Sequence, residues 1–455
     1  MGLGIMTTVL FLILAVTGIL LMFYYKPSVE TAYDSIKDIH YVVPTGRIIR
    51  NVHRLSAQGM VVLMILHMAR VFYTGAYKSP REFNWVVGML LLIITLGLSF
   101  TGYLLPWDQL AYWGVTIGSG IAGSPRDLTD ALGITQYFDP GGLVREIMLG
   151  AHMVGQEALI RFYTLHVIVL PIALVVVLGV HFWRIRKDGG LARPVSADPP
   201  VFAEGVGPED APTKSFGLMA VVRERTPATD KEIENTVPSW PRVFRLEAIL
   251  TMVALLIVVG LSLFIDAPLE EQAADPPVPL NPAKASWYFL ALQELVSYSA
   301  FGGGMVIPGI IIVSLLLIPF LDREEDDVGI WFGGRQGRRI TVLSVAYAVV
   351  VCVGVLAFTI NFGWLRNWLP ELTQKHVRAT QIVIMLFNPG MVFVVASAIW
   401  SLGLLRLTNS TRMASVGLLT CALVFFIILT YFAAVHRGPN WVFYWSQADW
   451  PVIEH

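Results

Sequence analysis

Charge is what this 455-residue sequence has least of. Lys and Arg number 32 and Asp and Glu 33, together 14% of the chain, against about 25% in soluble proteins. Apolar residues make up 55%, and they gather in uncharged runs approaching or exceeding the 18 or so residues that suggest a bilayer span. A soluble enzyme, a secreted disulfide scaffold and a disordered tail are therefore excluded. The net charge of −1 exerts no long-range pull on nucleic acid, and no block of Lys and Arg forms a binding stripe. Cysteine is almost missing: Cys352 and Cys421 each lie inside an apolar run, where a thiol behaves as a small core residue. Cys-x-x-Cys-His does not occur, which argues against covalent c-type haem. Met1–Tyr25 has neither a basic start nor a small-residue cleavage site, so it reads as a first span rather than a signal peptide.

Eight runs are evident, and a ninth is hidden behind Arg50, His53 and Arg54 at its start. The resulting expectation is an all-α, polytopic transmembrane bundle of about nine helices. The spans fall at 3–24, 46–73, 85–105, 162–185, 247–265, 301–321, 340–360, 379–405 and 413–435. Placing the even-to-odd connections on the cytoplasmic side gives that side 19 of the 32 Lys and Arg, as the positive-inside rule prefers. Arg184, Arg186 and Lys187, directly after the fourth span, contribute most clearly. The N-terminus is then cytoplasmic and His455 outside, as in a bacterial inner membrane.

Residues 188–245 are polar and carry Asp198-Pro199-Pro200 and Pro208, a linker composition. They divide 1–187 from 246–365, with 366–455 adding two further helices. Segments 106–161 and 266–300 face outward and carry several Trp and Tyr, suiting interfacial helices, a binding surface or aromatic-belt anchors. Pro389 inside the eighth span predicts a kink.

Four of the nine histidines lie at informative depths: His53 and His67 on the second span, His166 and His181 on the fourth. Separations of 14 and 15 residues put each pair on one helix face, roughly 21 to 22 Å apart. If these spans pack antiparallel to the first and third, they run parallel to each other, and His53 faces His166 while His67 faces His181. An imidazole in hydrocarbon is costly unless its nitrogens find partners. A bond to a neighbouring helix would satisfy one such residue; four in double register point to two haems with two axial imidazoles each. His152 is also 14 residues before His166, but it sits among glycines outside the membrane run.

Gly4 and Gly18, and Gly88 and Gly102, repeat the 14-residue interval on the first and third spans. Such glycines would let a flat macrocycle approach helix backbone, or simply let helices pack closely. Arg50 and Arg70 stand at opposite ends of the second span, where they could pair with haem propionates or snorkel to headgroups.

These residues carry a resemblance. Thr17-Gly18, Ile49-Arg50-x-x-His53, Leu66-His67-Met68-x-Arg70, Gly102-Tyr103-Leu104-Leu105-Pro106-Trp107-Asp108-Gln109 and Arg161-Phe162-Tyr163-x-x-His166 resemble the cytochrome b subunit of quinol:cytochrome c oxidoreductase (cytochrome bc) complexes. The 15-residue interval is similar to the chloroplast and cyanobacterial type. Residues 245–365 resemble subunit IV of that type, here fused to the first half.

The resemblance implies haem b held by His53–His166 on the outer side and by His67–His181 on the inner, with Arg161 among the cofactor-binding residues. It also implies a Q cycle. Quinol is oxidised at an outer site, one electron passes to a Rieske iron–sulfur protein and a c-type cytochrome, and the other crosses to an inner quinone. The complex is expected to be a homodimer in lipid.

Departures fall at the quinone sites. Where the family usually has Pro-Glu-Trp-Tyr, this chain has Ala285-Ser286-Trp287-Tyr288, and a serine has no useful pKa as a base. Glu294 is the nearest replacement; Tyr288 and Trp287 remain pocket residues. The loop is similar to that of bacterial, often menaquinol-using, members. Arg186 and Glu247 fall where inner-site polar groups are expected. The first span lacks the cysteine that attaches an extra haem in chloroplast relatives, leaving only a non-covalent one open. Two other readings remain: a di-haem anchor feeding a different redox module without a Q cycle, and a transporter with a histidine proton relay.

Overall fold

The structure, a computed structural model, describes residues 2–188, 239–270, 273–277, 280–324, 327–369 and 378–451. The linker expected at 188–245 and the end of the chain at His455 lie largely or wholly outside these residues. Among the described residues, nine helices are long and apolar enough to cross a membrane, in the order anticipated. No strand appears there beyond two isolated β-bridges.

The first half consists of α1 (Leu3–Met22), α2 (Ala32–Tyr41), α3 (Gly46–Tyr73), α4 (Glu82–Leu104), α5 (Gln109–Gly123), α6 (Pro125–Leu132), α7 (Pro140–Leu149) and α8 (Gln156–Lys187). Helices α1, α3, α4 and α8 span; α1 lies along α3 and α4 along α8. The short helices α2, α5, α6 and α7 cover one end of this bundle, here called the upper end. The second half has α9 (Phe244–Ser262), α10 (Trp287–Tyr298), α11 (Gly302–Leu321), α12 (Gly334–Phe362), α13 (Arg378–Leu386), α14 (Pro389–Thr408) and α15 (Thr411–Val435).

The departures from regular geometry in α8 and before α14 have causes visible in sequence. Pro171 in α8 has no amide hydrogen to give the preceding turn, and residues Leu165–Val169 form a π-turn there, with Leu170 N bonded to Leu165 O. A π-turn takes one residue more than an α-turn. The expected kink at Pro389 is a full break: Asn388 is extended, its side chain accepts from Met391 N, and Pro389 opens α14 as its first residue.

The last helix is central rather than appended. α15 packs against α10, α12 and α14, and its side chains share a core with Ala291, Leu295, Ala348, Cys352 and Phe393. Both cysteines are buried there as free thiols. At its lower end, the fully buried Arg412 donates to Asp327 at 2.7 Å, Tyr77 OH at 3.0 Å and the Tyr73 carbonyl at 3.0 Å. Lys78 pairs with Asp322 and Asp327, and Tyr77 donates to Asp322. Higher up, Tyr73 OH meets Thr420 Oγ1 at 2.9 Å. The two halves are thus tied by charges that desolvation makes costly unless paired.

Candidate functional site

Packing of α1 on α3 and of α4 on α8 leaves α3 and α8 facing each other across a gap. At the upper level the His53 and His166 rings have centroids 6.3 Å apart; at the lower level those of His67 and His181 are 6.5 Å apart. The π-turn explains how 14 residues on α3 match 15 on α8, since it absorbs the surplus residue in the turn that carries His166.

Each ring is backed by a glycine. A Cβ at Gly4 would lie 3.3 Å from His67 Cε1 and one at Gly18 3.4 Å from His53 Cε1. At Gly102 it would overlap the His166 ring, whereas at Gly88 it would stand 3.8 Å from His181. The nearest group each glycine makes room for is therefore an imidazole. Upper-level Nδ1 atoms meet hydroxyls, Thr17 Oγ1 at 2.9 Å from His53 and Thr101 Oγ1 at 3.1 Å from His166, and among the described residues no hydrogen bond engages Nε2 of either ring.

These pairs test whether a haem fits. Two metal–nitrogen bonds of roughly 2 Å, with each ring centre about 1 Å behind its nitrogen, place axial imidazole centroids roughly 6 Å apart. The observed separations match. No group of three or more His, Cys, Asp or Glu suited to a bare ion occurs among the described residues, so the pairs suit a metal whose other ligands come from a macrocycle.

Other anticipated groups lie apart from the rings. Arg50 is buried, with its guanidinium bonded to the carbonyls of Ala267 and Pro268 and to His40 Nδ1. Arg161 donates to the Ile147 carbonyl. The Arg70 guanidinium has neither hydrogen bond nor ion pair among the described residues, and the residue is half-buried near the lower end of α3. Arg186 is exposed beside Trp183 and Lys187, and Glu247 is half-buried in the first turn of α9. His152 is exposed.

Beside the upper pair is an apolar cavity of about 300 Å³. Phe100 and Tyr103 of α4, Gly114 and Gly118 of α5, and Phe289 and Gln293 of α10 line it, with Ala283, Lys284 and Ala285 closing one side. Tyr103 OH is buried without a partner. Burial pushes the Lys284 ammonium down from its usual range, and Nζ donates to the Ala434 carbonyl at 2.8 Å.

Ser286 caps α10 with its Oγ buried and unpartnered, Trp287 donates to Gln58 Oε1 at 2.6 Å, and Tyr288 is buried. None of the three lines the cavity wall; its α10 residues are Phe289, Leu292 and Gln293. Nothing in the amino-acid pattern singled out Phe289 and Gln293, although helical spacing puts them on one face of α10.

Glu294 points away from that face. It is fully buried and receives Arg437 through both carboxylate oxygens, at 2.5 and 2.9 Å, together with Tyr298 OH at 2.7 Å and Trp441 Nε1 at 2.9 Å. The expected free carboxylate is an ion-paired anchor, because the chain after α15 folds back to cover it.

Comparison with known proteins agrees with this arrangement. The family described as Cytochrome b/b6/petB matches residues 1–189. Cytochrome b6 of Prochlorococcus marinus is 45% identical over 187 residues, covering 41% of this chain and 80% of that protein. Those of Synechocystis sp. and Heliobacterium modesticaldum are 46% and 44% identical over the same length, covering 79% and 82% of each. The solved structure titled "Hyperthermophilic respiratory Complex III" is 24% identical, covers 95% of this chain and 90% of its own, and superposes with a TM-score of 0.59; that likeness shows the fold. The chain belongs to the cytochrome b family, integral-membrane electron-transfer subunits of quinol-oxidising complexes that carry b-type haem.

Proposed function

We propose that this chain is the subunit that oxidises quinol on the upper side, taken as the outer face, and carries one of its two electrons across the membrane to quinone on the lower side. The observation that carries the reading is the pair of imidazole pairs at two depths, 6.3 and 6.5 Å between centroids. His53 with His166, and His67 with His181, would hold two haems b. When bound, these supply one-electron transfer, with axial histidine setting their reduction chemistry.

The chain's own residues do the rest. Gly4, Gly18, Gly88 and Gly102 seat the imidazoles close to α1 and α4, and Thr17 and Thr101 fix the upper rings with Nδ1 protonated, leaving Nε2 for iron. Phe100, Phe289 and Leu292 shape the apolar cavity against a flat quinol ring. The unpartnered Tyr103 hydroxyl offers a hydrogen bond inside it, as a buried polar group without a partner is costly. Arg70 at the lower end is free to neutralise a propionate, whereas Arg50 is held by carbonyls. Arg186 and Glu247 stand on the lower side, where quinone reduction consumes protons.

The remaining electron, in this reading, goes to a Rieske iron–sulfur protein followed by a c-type cytochrome, the partners that the resemblance of the haem and loop motifs suggests. The loop around Ser286 favours menaquinol. We read 1–187 as the haem-binding domain, 188–245 as linker, 246–365 as the quinol-site half and 366–455 as its buttress, in a complex that is dimeric and sits with its N-terminus cytoplasmic.

A reduced-minus-oxidised spectrum of the purified chain tests this. Two b-type components are expected, and quinol should reduce them. A colourless protein would refute the reading, and a transporter with a histidine relay would then account better for the four facing imidazoles.

A further inference from the structure

The two histidine levels are backed by different chemistry. On α1, Leu3-Gly4 and Thr17-Gly18 stand 14 residues apart; on α4, Val87-Gly88 and Thr101-Gly102 repeat the interval. In all four dipeptides the glycine faces an imidazole, but only at the upper level does a hydroxyl precede it. Thr17 Oγ1 gives its own proton to the Ile13 carbonyl at 2.6 Å, and Thr101 Oγ1 gives its proton to Gly97 at 2.9 Å. With their protons so placed, both oxygens accept Nδ1–H, from His53 at 2.9 Å and His166 at 3.1 Å. At the lower level, Leu3 and Val87 offer no such atom: Nδ1 of His67 is buried without a hydrogen-bond partner, and His181 has no hydroxyl but only the Asn84 backbone carbonyl beside its ring.

Resting on the haem reading above, we propose that Thr17 and Thr101 are positioning residues that lower the reduction potential of the upper haem relative to the lower one. A hydrogen bond accepted from Nδ1–H leaves more electron density on the imidazole and makes Nε2 a stronger donor. A stronger axial donor favours the oxidised iron, and second-shell hydrogen bonding is one of the levers a protein has on a haem potential. Both ligating imidazoles face a threonine hydroxyl at the upper level and neither does at the lower. The four residues beside the rings therefore bias electron flow from the upper haem to the lower, in the direction the proposed function requires.

The experiment is a redox titration of each b component in the full chain with its haems, comparing the native protein with Thr17→Val, Thr101→Val, the double variant and the reciprocal Val87→Thr. Valine matches threonine in shape and reproduces what Val87 already provides at the lower level. The upper midpoint is expected to rise in each single variant and further in the double one, with the lower midpoint unmoved and both absorbance components retained. Val87→Thr should lower the other midpoint, and Thr17→Ser should restore the native value. If both components persist in the double variant and neither midpoint moves, the proposal is overturned. Should valine expel the upper haem, Val87→Thr decides: a lower midpoint that does not fall refutes the idea. Absence of any b component in the native chain would instead refute the haem reading.

Discussion

Replacing Arg437 by methionine should open the upper end of the second half while leaving the first half intact. Arg437 meets both oxygens of Glu294, at 2.5 and 2.9 Å, and the Glu294 side chain is entirely buried. Breaking a buried pair by removing one partner costs about 3–5 kcal/mol, because the other charge stays behind uncompensated. Tyr298 OH and Trp441 Nε1 still donate to the carboxylate, which puts the cost near the low end, about 3 kcal/mol, or roughly a hundredfold in local opening.

Amide hydrogen exchange reads this directly. Protection in α10 and in residues 436–444 should fall by about that factor, while α1 and α3 serve as internal controls. Combining the change with Glu294→Gln should recover most of the protection, since the neutral amide can accept from Trp441 Nε1 through its oxygen and donate to Tyr298 OH through its NH2. If the single variant exchanges like the native chain, or if the double variant is as open as the single, then this pair is not what fastens the tail to α10.

Three further outcomes follow from the same packing. Gly102→Ala should destroy the upper haem component in the difference spectrum, because its Cβ overlaps His166, whereas Gly88→Ala, at 3.8 Å from His181, should keep the lower one; equal effects would contradict the geometry. His67→Ala should remove one b component and leave the other, and loss of both would show that the levels are not independent. Arg412→Met removes the donor to Tyr77 OH and one of two cations from Asp327, which keeps Lys78, and a cost near the low end of a broken buried pair, about 3 kcal/mol, should appear as early thermal release of α15 to limited proteolysis; an unchanged cleavage temperature would assign the junction to Lys78 instead.

What could be read from the sequence follows from where the physics is local. Long uncharged runs reveal spans because lipid forbids unpaired backbone, and the histidine register reveals facing helices because helical rotation is fixed. The 15-residue interval on α8 overshoots a straight helix by 60°, and only the π-turn beside Pro171 shows where the surplus residue goes. Arg50 looked equivalent to Arg70, but the carbonyls that hold it, Ala267 and Pro268, arrive from more than 200 residues away. Glu294 looked available for the same reason: its partner Arg437 is 143 residues distant. Long-range partners of buried charges leave no local pattern, so these two side chains were legible in depth but not in role.

The place of Glu294 bears on how the upper cavity handles a proton. Serine at 286 removes the carboxylate that the family usually offers on this loop, and the nearest replacement is bound on the far side of α10 by a guanidinium, a phenol and an indole. Among the residues that line the cavity, the groups able to exchange a proton are Tyr103, whose hydroxyl is unpartnered, and Lys284, whose ammonium is held by the Ala434 carbonyl. Ala434 belongs to α15 and Asn281 of the same loop bonds Asn440 of the tail at 2.8 Å. The last helix and its tail thus reach this loop at Lys284 and Asn281, and α10 itself at Glu294. With serine at 286, what this loop contributes to the cavity is the wall formed by Ala283, Lys284 and Ala285 rather than a carboxylate. α15 and the tail that follows it are what hold that wall in place.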